Sequence, residues 1–265
     1  MSEADDDDIF HRLAGVPHHS AAPVSRVKEL ARRELPKRFY KDVTVEPGPE
    51  GHKILLDGRS VRTPRRNLLA VPEARLAEGL AAEWAAQGDL IDPATMPLTR
   101  LVNTALDGIP EVASDVADDI AKFAGSDLLT YRADGPERLV RRQRERWDPV
   151  LTWAEARFNV RFRLAEGVMP IAQDAAVLPA VRAALEGRSA LDLAGLHTLT
   201  TLTGSVLLAL AVAEGALDPE AGWAAAHLDE DWNIELWGED FEAARRRAAR
   251  KAEYDAALIL LGLLR

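Results

Sequence analysis

The stretch Trp223–Phe241, WAAAHLDEDWNIELWGEDF, sets six carboxylates among three of the chain's six tryptophans. Carboxylates at that density suit acid–base work or charge-based recognition of a partner. Acid–base catalysis needs two carboxyls in different environments facing one cleft. It also needs a nucleophile, a base or a metal within reach. At 3.6 residues per turn, Trp223, Glu230, Ile234 and Trp237 fall on one helix face, apolar apart from Glu230. Leu228, Trp232 and Leu236 form a second apolar stripe roughly opposite. A helix apolar on two sides is buried or lies between partners. An ionised carboxylate left uncompensated in such a stripe costs roughly 2 kcal/mol or more. Glu230 is therefore expected either to be paired within the fold or to be kept for a partner.

The groups that would complete a catalytic site are not evident elsewhere. The chain has no GxxxxGK[ST] phosphate cradle, no GxGxxG, no HExxH and no GxSxG. Of the histidines, only His18 and His19 are adjacent, and a pair in a polar leader is a weak metal site. Ser25 and Lys28 have SxxK form, but in that same leader rather than at a helix start. Asp118 and Asp119 fall on the polar side of an amphipathic helix and read as a solvated face. Arg138, Arg141, Arg142, Arg144 and Arg146 could recruit an acidic partner or a phosphate. The plainer reading is a surface whose stems cover apolar neighbours and whose heads pair with acids. No catalytic, cofactor-binding or metal residue is assigned. A hydrolase or transferase using Glu230 in a cleft between two parts of the chain is the alternative reading.

Composition narrows the classes further. The 265 residues permit one large or two modest domains and bury enough surface to need no staples. There are no cysteines, which excludes disulfides, thiolate chemistry and cysteine-ligated metals. The net charge of −10 disfavours nucleic acid, whose binding rests on phosphate neutralisation. The start, MSEADDDDIFH, has neither the basic-then-apolar pattern of a secretory signal nor the arginines of a transit peptide. The most apolar run, Leu199–Val212, holds threonines and a glycine and is too short to span a membrane. A cytoplasmic protein with no membrane insertion and no small-molecule substrate is expected.

The elements that must position the acidic stretch follow from periodicity and turn chemistry. Residues 1–35 form a flexible acidic leader, with four aspartates at Asp5–Asp8. Val43 and Val45 alternate with polar residues, Pro47–Gly51 is a turn, and Asp57-Gly58 between two short runs is a hairpin signal. Leu68–Val71 is a fourth strand. Helices follow over Glu73–Gln87, from Met96-Pro97, and from Glu111 to Gly125. Pro136 opens a helix carrying Leu139, Gln143 and Trp147 on one side, and Asp148-Pro149 predicts a bend or restart. Val160–Leu164 alternates like a strand. Further helices are expected after Asp174, over His197–Glu214, from Pro219 through the acidic stretch, and over Phe241–Leu264. Strands first and helices after define an α+β fold. The boundaries fall at 36–120 for a β-rich N-terminal α+β domain and 121–265 for an all-α C-terminal domain.

Three blocks carry a resemblance. They are RFYKDVTVEPGPEGHKILLDGRSVRTPRRNLLAVP at 38–72, then EWAAQGDLIDPATMPLTRLVNTALD at 83–107 continuing to DLLTYRADGPERLVRRQRERWDPVLTWA at 127–154, and LDEDWNIELWG at 228–238. Together they resemble the ATP synthase assembly chaperone family dedicated to the α subunit of the soluble F-type head, found in mitochondria and α-proteobacteria. The resemblance implies an α+β domain followed by an orthogonal helical bundle, no enzymatic activity, no cofactor, and the free α subunit as partner. Eukaryotic relatives would work in the mitochondrial matrix, and this chain resembles a bacterial cytoplasmic member. The resemblance also implies a role in partner binding for Glu230, Asp231 and Trp237. The same stretch adds Trp232, Glu235 and Asp240 to the expected partner-binding set. Trp84, in the Glu83-Trp84 pair, matches a family position and reads as structural.

Overall fold

A computed structural model describes residues 35–167 and 171–264. The acidic leader, with Asp5–Asp8, His18-His19 and the Ser25/Lys28 pair, lies outside the described residues apart from its last position, Leu35. Chain contacts divide the molecule into two units, one ending at Glu111 and one starting at Val112. The division falls within helix α3 (Ile109–Lys122), at a residue whose φ/ψ of −130° and 23° are not helical. The boundary expected from sequence, 120–121, lies further along the same helix.

In the first unit, β1 (Val43–Gly48) pairs antiparallel with β2 (Gly51–Leu56) in a register running from Val43 opposite Leu56 to Gly48 opposite Gly51. Asp57 and Gly58 both have positive φ, 48° and 76°, as a type I′ turn requires, and lead into β3 (Arg59–Ser60). The Asp57 carboxylate also accepts the backbone N–H groups of Lys41 and Asp42, at 3.0 and 2.8 Å, and those bonds hold its pKa below the usual carboxylate range. β4 (Ala70–Val71) pairs with the start of β2. Gly51 is required there, because a Cβ would lie 2.4 Å from the Val71 carbonyl oxygen and φ is +105°.

Helix α1 (Ala74–Ala85) packs on this sheet and buries Leu76, Ala77 and Leu80. Helix α2 (Pro97–Asp107) begins with proline, whose missing N–H costs nothing at that position. Its next two N–H groups, Leu98 and Thr99, each donate at 2.7 Å to the Glu83 carboxylate, so the glutamate of the Glu83-Trp84 pair caps a helix fifteen residues on. Burial raises the Glu83 pKa. At the other end Asp107 accepts from Thr63 Oγ1 (2.5 Å), Arg65 N (2.9 Å) and Asn67 Nδ2 (2.9 Å), tying the loop after β3 to α2.

Among the described residues, the second unit is helical apart from one short parallel pair, β5 (Tyr131–Arg132) with β6 (Ala165–Glu166). Its helices are α4 (Glu137–Phe158), α5 (Val177–Ala183), α6 (Ala190–Thr203), α7 (Val206–Ala213), α8 (Pro219–Ala226), α9 (Leu228–Trp237) and α10 (Phe241–Leu260), after the second part of α3. Helix α7 is the centre, with every side chain from Val206 to Val212 buried. α4, α6 and α8 pack around it.

Four expectations are corrected. Asp148-Pro149 does not restart the chain, because α4 runs through it. The Asp148 carboxylate turns instead to the buried Arg132, 2.7 Å away, and Trp147, Val150, Leu151 and Ala154 are buried on both sides of the proline. That burial offsets a proline cost of about 3 kcal/mol. Residues 160–164 are not a strand. The Phe162 and Arg163 N–H groups are satisfied by the side chains of Glu155 (3.1 Å) and Gln173 (2.9 Å), not by a neighbouring chain. His197–Glu214 is not one helix, since Gly204 ends α6 in the left-handed region at φ 66° and Ser205 caps α7. The helix expected from Pro219 through the acidic stretch is also two, α8 and α9.

The break before α7 has a cause remote in sequence. Asp127 is fully buried, and its carboxylate accepts from Ser205 Oγ (2.7 Å), Leu207 N (3.1 Å) and Leu129 N (3.0 Å). Burial pushes its pKa up to about 6, against the pull of those donors. A carboxyl held above its ordinary value binds its proton more tightly in the folded chain. Its contribution to stability therefore falls as pH rises from about 4 to about 6, and is flat above. Asp127→Asn is expected to cost roughly 1–3 kcal/mol at pH 7, by denaturant titration. The gap between wild type and variant should shrink as pH rises from about 4 to about 6.

Candidate functional site

The acidic helix α9 is built against arginines from two other helices. Its first turn holds Asp229, Glu230 and Asp231, where the positive end of the helix dipole favours negative charge. It starts at His227, whose φ/ψ of −105° and 16° end α8. The His227 ring packs on Trp223 with centroids 3.8 Å apart, and its Nδ1 lies 2.9 Å from the Trp223 carbonyl oxygen. Burial lowers the His227 pKa, which favours the neutral ring. Trp223 is itself wedged against Tyr254 of α10, with centroids 5.1 Å apart. A single continuous helix would fix the angle between Trp223 and Trp232. The break lets each find its own partner.

Helix α4 supplies the floor. Trp147 Nε1 donates to the Ala225 carbonyl at 2.9 Å, and Gln143 Nε2 to Asp229 at 2.9 Å, while Gln143 Oε1 accepts from Ala133 N. One turn away, Arg142 makes a bidentate pair with Glu235, at 2.6 and 2.9 Å, and Arg138 reaches the same carboxylate at 3.5 Å. Hydrogen bonding from Arg142 holds the Glu235 pKa below its ordinary value. Both guanidiniums also lie over the Trp232 ring, 5.3 and 5.4 Å from its centre. Arg138 and Arg142 of the arginine cluster thus pair with Glu235, and Arg141 lies 3.9 Å from Glu145, as the plainer reading expects of them.

Helix α10 supplies the wall. Arg250 reaches Glu230 at 2.9 Å, and Arg247 pairs with Asp231. Hydrogen bonding to Asp231 raises the Arg247 pKa. Asp240 caps α10, accepting from Ala243 N at 2.8 Å. Two open grooves flank α9. One of about 420 Å³ is lined by Glu230, Ala243, Arg246, Ala249, Arg250 and Glu253, and one of about 340 Å³ by residues that include Arg142, Asp231 and Glu235. Among the described residues no group of three His, Asp or Glu side chains is placed to hold a metal.

The six residues expected to bind a partner therefore separate. Glu230, Asp231 and Glu235 are engaged in ion pairs within the chain, and Asp240 in a helix cap. Trp232 is buried at 7% exposure, so its face is not open to solvent. Trp237 projects at 83% exposure, and Glu235 and Asp240 are exposed as well. Because α8 and α9 are separate helices, Trp223 and Glu230 do not belong to one helix face. Leu236, on the apolar stripe with Leu228 and Trp232, is 52% exposed, and Phe241, which starts α10 as expected, is 75% exposed. The signal was available in ELWGEDFE, Glu235–Glu242, where apolar residues flank a glycine among acids alone.

With that geometry in view, comparison with known proteins identifies the class. The profile of the ATP12 chaperone protein family matches residues 37–155. The crystal structure of the Atu1473 protein from Agrobacterium tumefaciens is 48% identical, covers 98% of this chain and 97% of its own, and superposes with a TM-score of 0.81. That of Atp12 from Paracoccus denitrificans is 39% identical, covers 87% and 99%, and gives 0.78. The mitochondrial protein atp12 of Schizosaccharomyces pombe is 22% identical over 215 residues, 76% of this chain and 74% of its own length. The chain belongs to the ATP12 chaperone family. The family profile spans the first two blocks that carried the resemblance. The acidic block at 228–238 lies beyond it, in the helical part aligned with the Agrobacterium structure. No helix among the described residues is long and apolar enough to cross a membrane.

Burial sorts the two tryptophans of α9 by what their removal should do. Trp232→Ala is expected to cost about 3–5 kcal/mol in a denaturant melt. Trp237→Ala should stay within about 0.5 kcal/mol of wild type in the same melt. Removing Glu230, whose pair with Arg250 is partly exposed, should cost no more than about 1 kcal/mol.

Proposed function

We propose that this chain is an assembly chaperone that binds the free α subunit of the soluble catalytic head of ATP synthase and shields its β-facing interface until assembly. The observation that carries the reading is membership of the ATP12 chaperone family, with a likeness of 48% identity along 98% of the chain. The residue blocks support it, since 38–72, 83–107 with 127–154, and 228–238 resemble the α-subunit chaperones and together cover most of 38–238.

The physical demands of the task agree. A free subunit of an obligate oligomer exposes a large apolar interface, and a protein that covers it suppresses aggregation by mass action. Such a protein needs accessible apolar and charged surface, which the end of α9 offers. Release then follows when the true neighbour competes for the same face. The sequence carries no phosphate-cradling motif to drive release by nucleotide hydrolysis, so handover is passive. The hydrolase or transferase reading draws no support from Glu230, whose carboxylate is held by Arg250.

Light scattering of purified free α subunit tests the reading. Equimolar full-length chain is expected to lower the rate and extent of α-subunit aggregation without nucleotide, and not to bind the assembled head. Unchanged aggregation would show that the reading is wrong.

A further inference from the structure

We propose that the elbow joining α9 to α10, Leu236–Phe241, is the surface that seats in the partner, and that the partner offers an apolar pocket rimmed by lysine and arginine. This rests on the α-subunit reading above and gives that reading a site.

Three large apolar side chains, Leu236, Trp237 and Phe241, are 52%, 83% and 75% exposed within six residues. The other aromatic side chains of this region, Trp223, Trp232 and Tyr254, are buried. Aromatic residues exposed together are costly to leave in water, and tryptophan is the commonest anchor of protein interfaces. Gly238, at φ 86° and ψ 168°, turns the chain between Trp237 and Phe241.

The rim defines the partner's charge. From Glu235 to Glu242 the chain has four acidic residues and no basic one. Glu235 is neutralised by Arg142, and Glu242 has a loose 3.7 Å pair with Arg246. Glu239 makes no ion pair within 4 Å among the described residues, though its charge acts on Arg247, and the Asp240 carboxylate accepts the Ala243 N–H. The elbow is thus an apolar centre with acidic side chains beside it. A second copy of the chain would set like charge against like charge. An anionic lipid surface attracts basic segments, not this one. A protein face with a basic rim satisfies both parts.

Isothermal titration of the full-length chain with purified free α subunit tests the proposal, alongside sedimentation of the chain alone. Trp237→Ser with Phe241→Ser should weaken binding by about 30-fold or more while leaving the melting curve unchanged. Glu239→Lys should slow association and flatten its dependence on salt. If wild type binds and the double variant binds equally well, the proposal falls and the α-subunit reading stands. If wild type does not bind, the reading falls and takes the proposal with it. Self-association of the wild type that the double variant loses would make a second copy the occupant and overturn the proposal.

Discussion

The helical half depends on burying one helix whole. Val206–Val212 carries no polar side chain and no solvent-facing side. A helix in that position must still satisfy the N–H groups of its first turn, and no water is at hand. Asp127 and Ser205 meet this need from inside, the carboxylate taking Leu207 N and the hydroxyl taking Leu208 N. The arrangement costs the desolvation of a carboxyl, visible in its raised pKa. It yields a rigid centre on which α4, α6 and α8 rest.

Position is then transmitted outward by side chains that each do two things. Gln143 and Trp147 bury one face of α4 and hydrogen-bond to Asp229 and Ala225. Arg142 holds Glu235 and covers Trp232. Arg247 and Arg250 hold the start of α9 from the other side. With three of its four carboxylates bound to arginine, α9 has little freedom to reorient, and its last turn points Leu236 and Trp237 to solvent. The acidic residues thus fix the direction in which the apolar ones are presented.

Much of this fold could be read from sequence where the cause is local. Asp57-Gly58 dictates its turn because both residues must take positive φ. Pro97 and Pro136 mark helix starts because a proline nitrogen has nothing to donate. The breaks at Gly204-Ser205 and His227 escaped because apolar periodicity continues across them, although Gly204 and Ser205 are themselves stop and cap residues. Asp127 is 78 residues from Ser205, and its role is not written in its neighbours. The acidic stretch was legible as a unit, and so was the idea that Glu230 is either paired or kept. Which carboxylates are neutralised was not, since Arg142 and Glu235 are 93 residues apart. Trp232 and Trp237 lie on opposite apolar stripes, and the sequence does not say which is covered; the packing of α4 against α9 buries Trp232 and leaves Trp237 exposed.

If α9 is a bracket and the elbow is what it presents, binding should change the elbow and little else nearby. Hydrogen–deuterium exchange of the full-length chain, with and without saturating free α subunit, measures this directly. The account predicts slowed exchange at Leu236–Glu242, with amides around Asp127 and Val206–Val212 unchanged. Slowed exchange confined to other segments, with Leu236–Glu242 as fast as in the free chain, would contradict it.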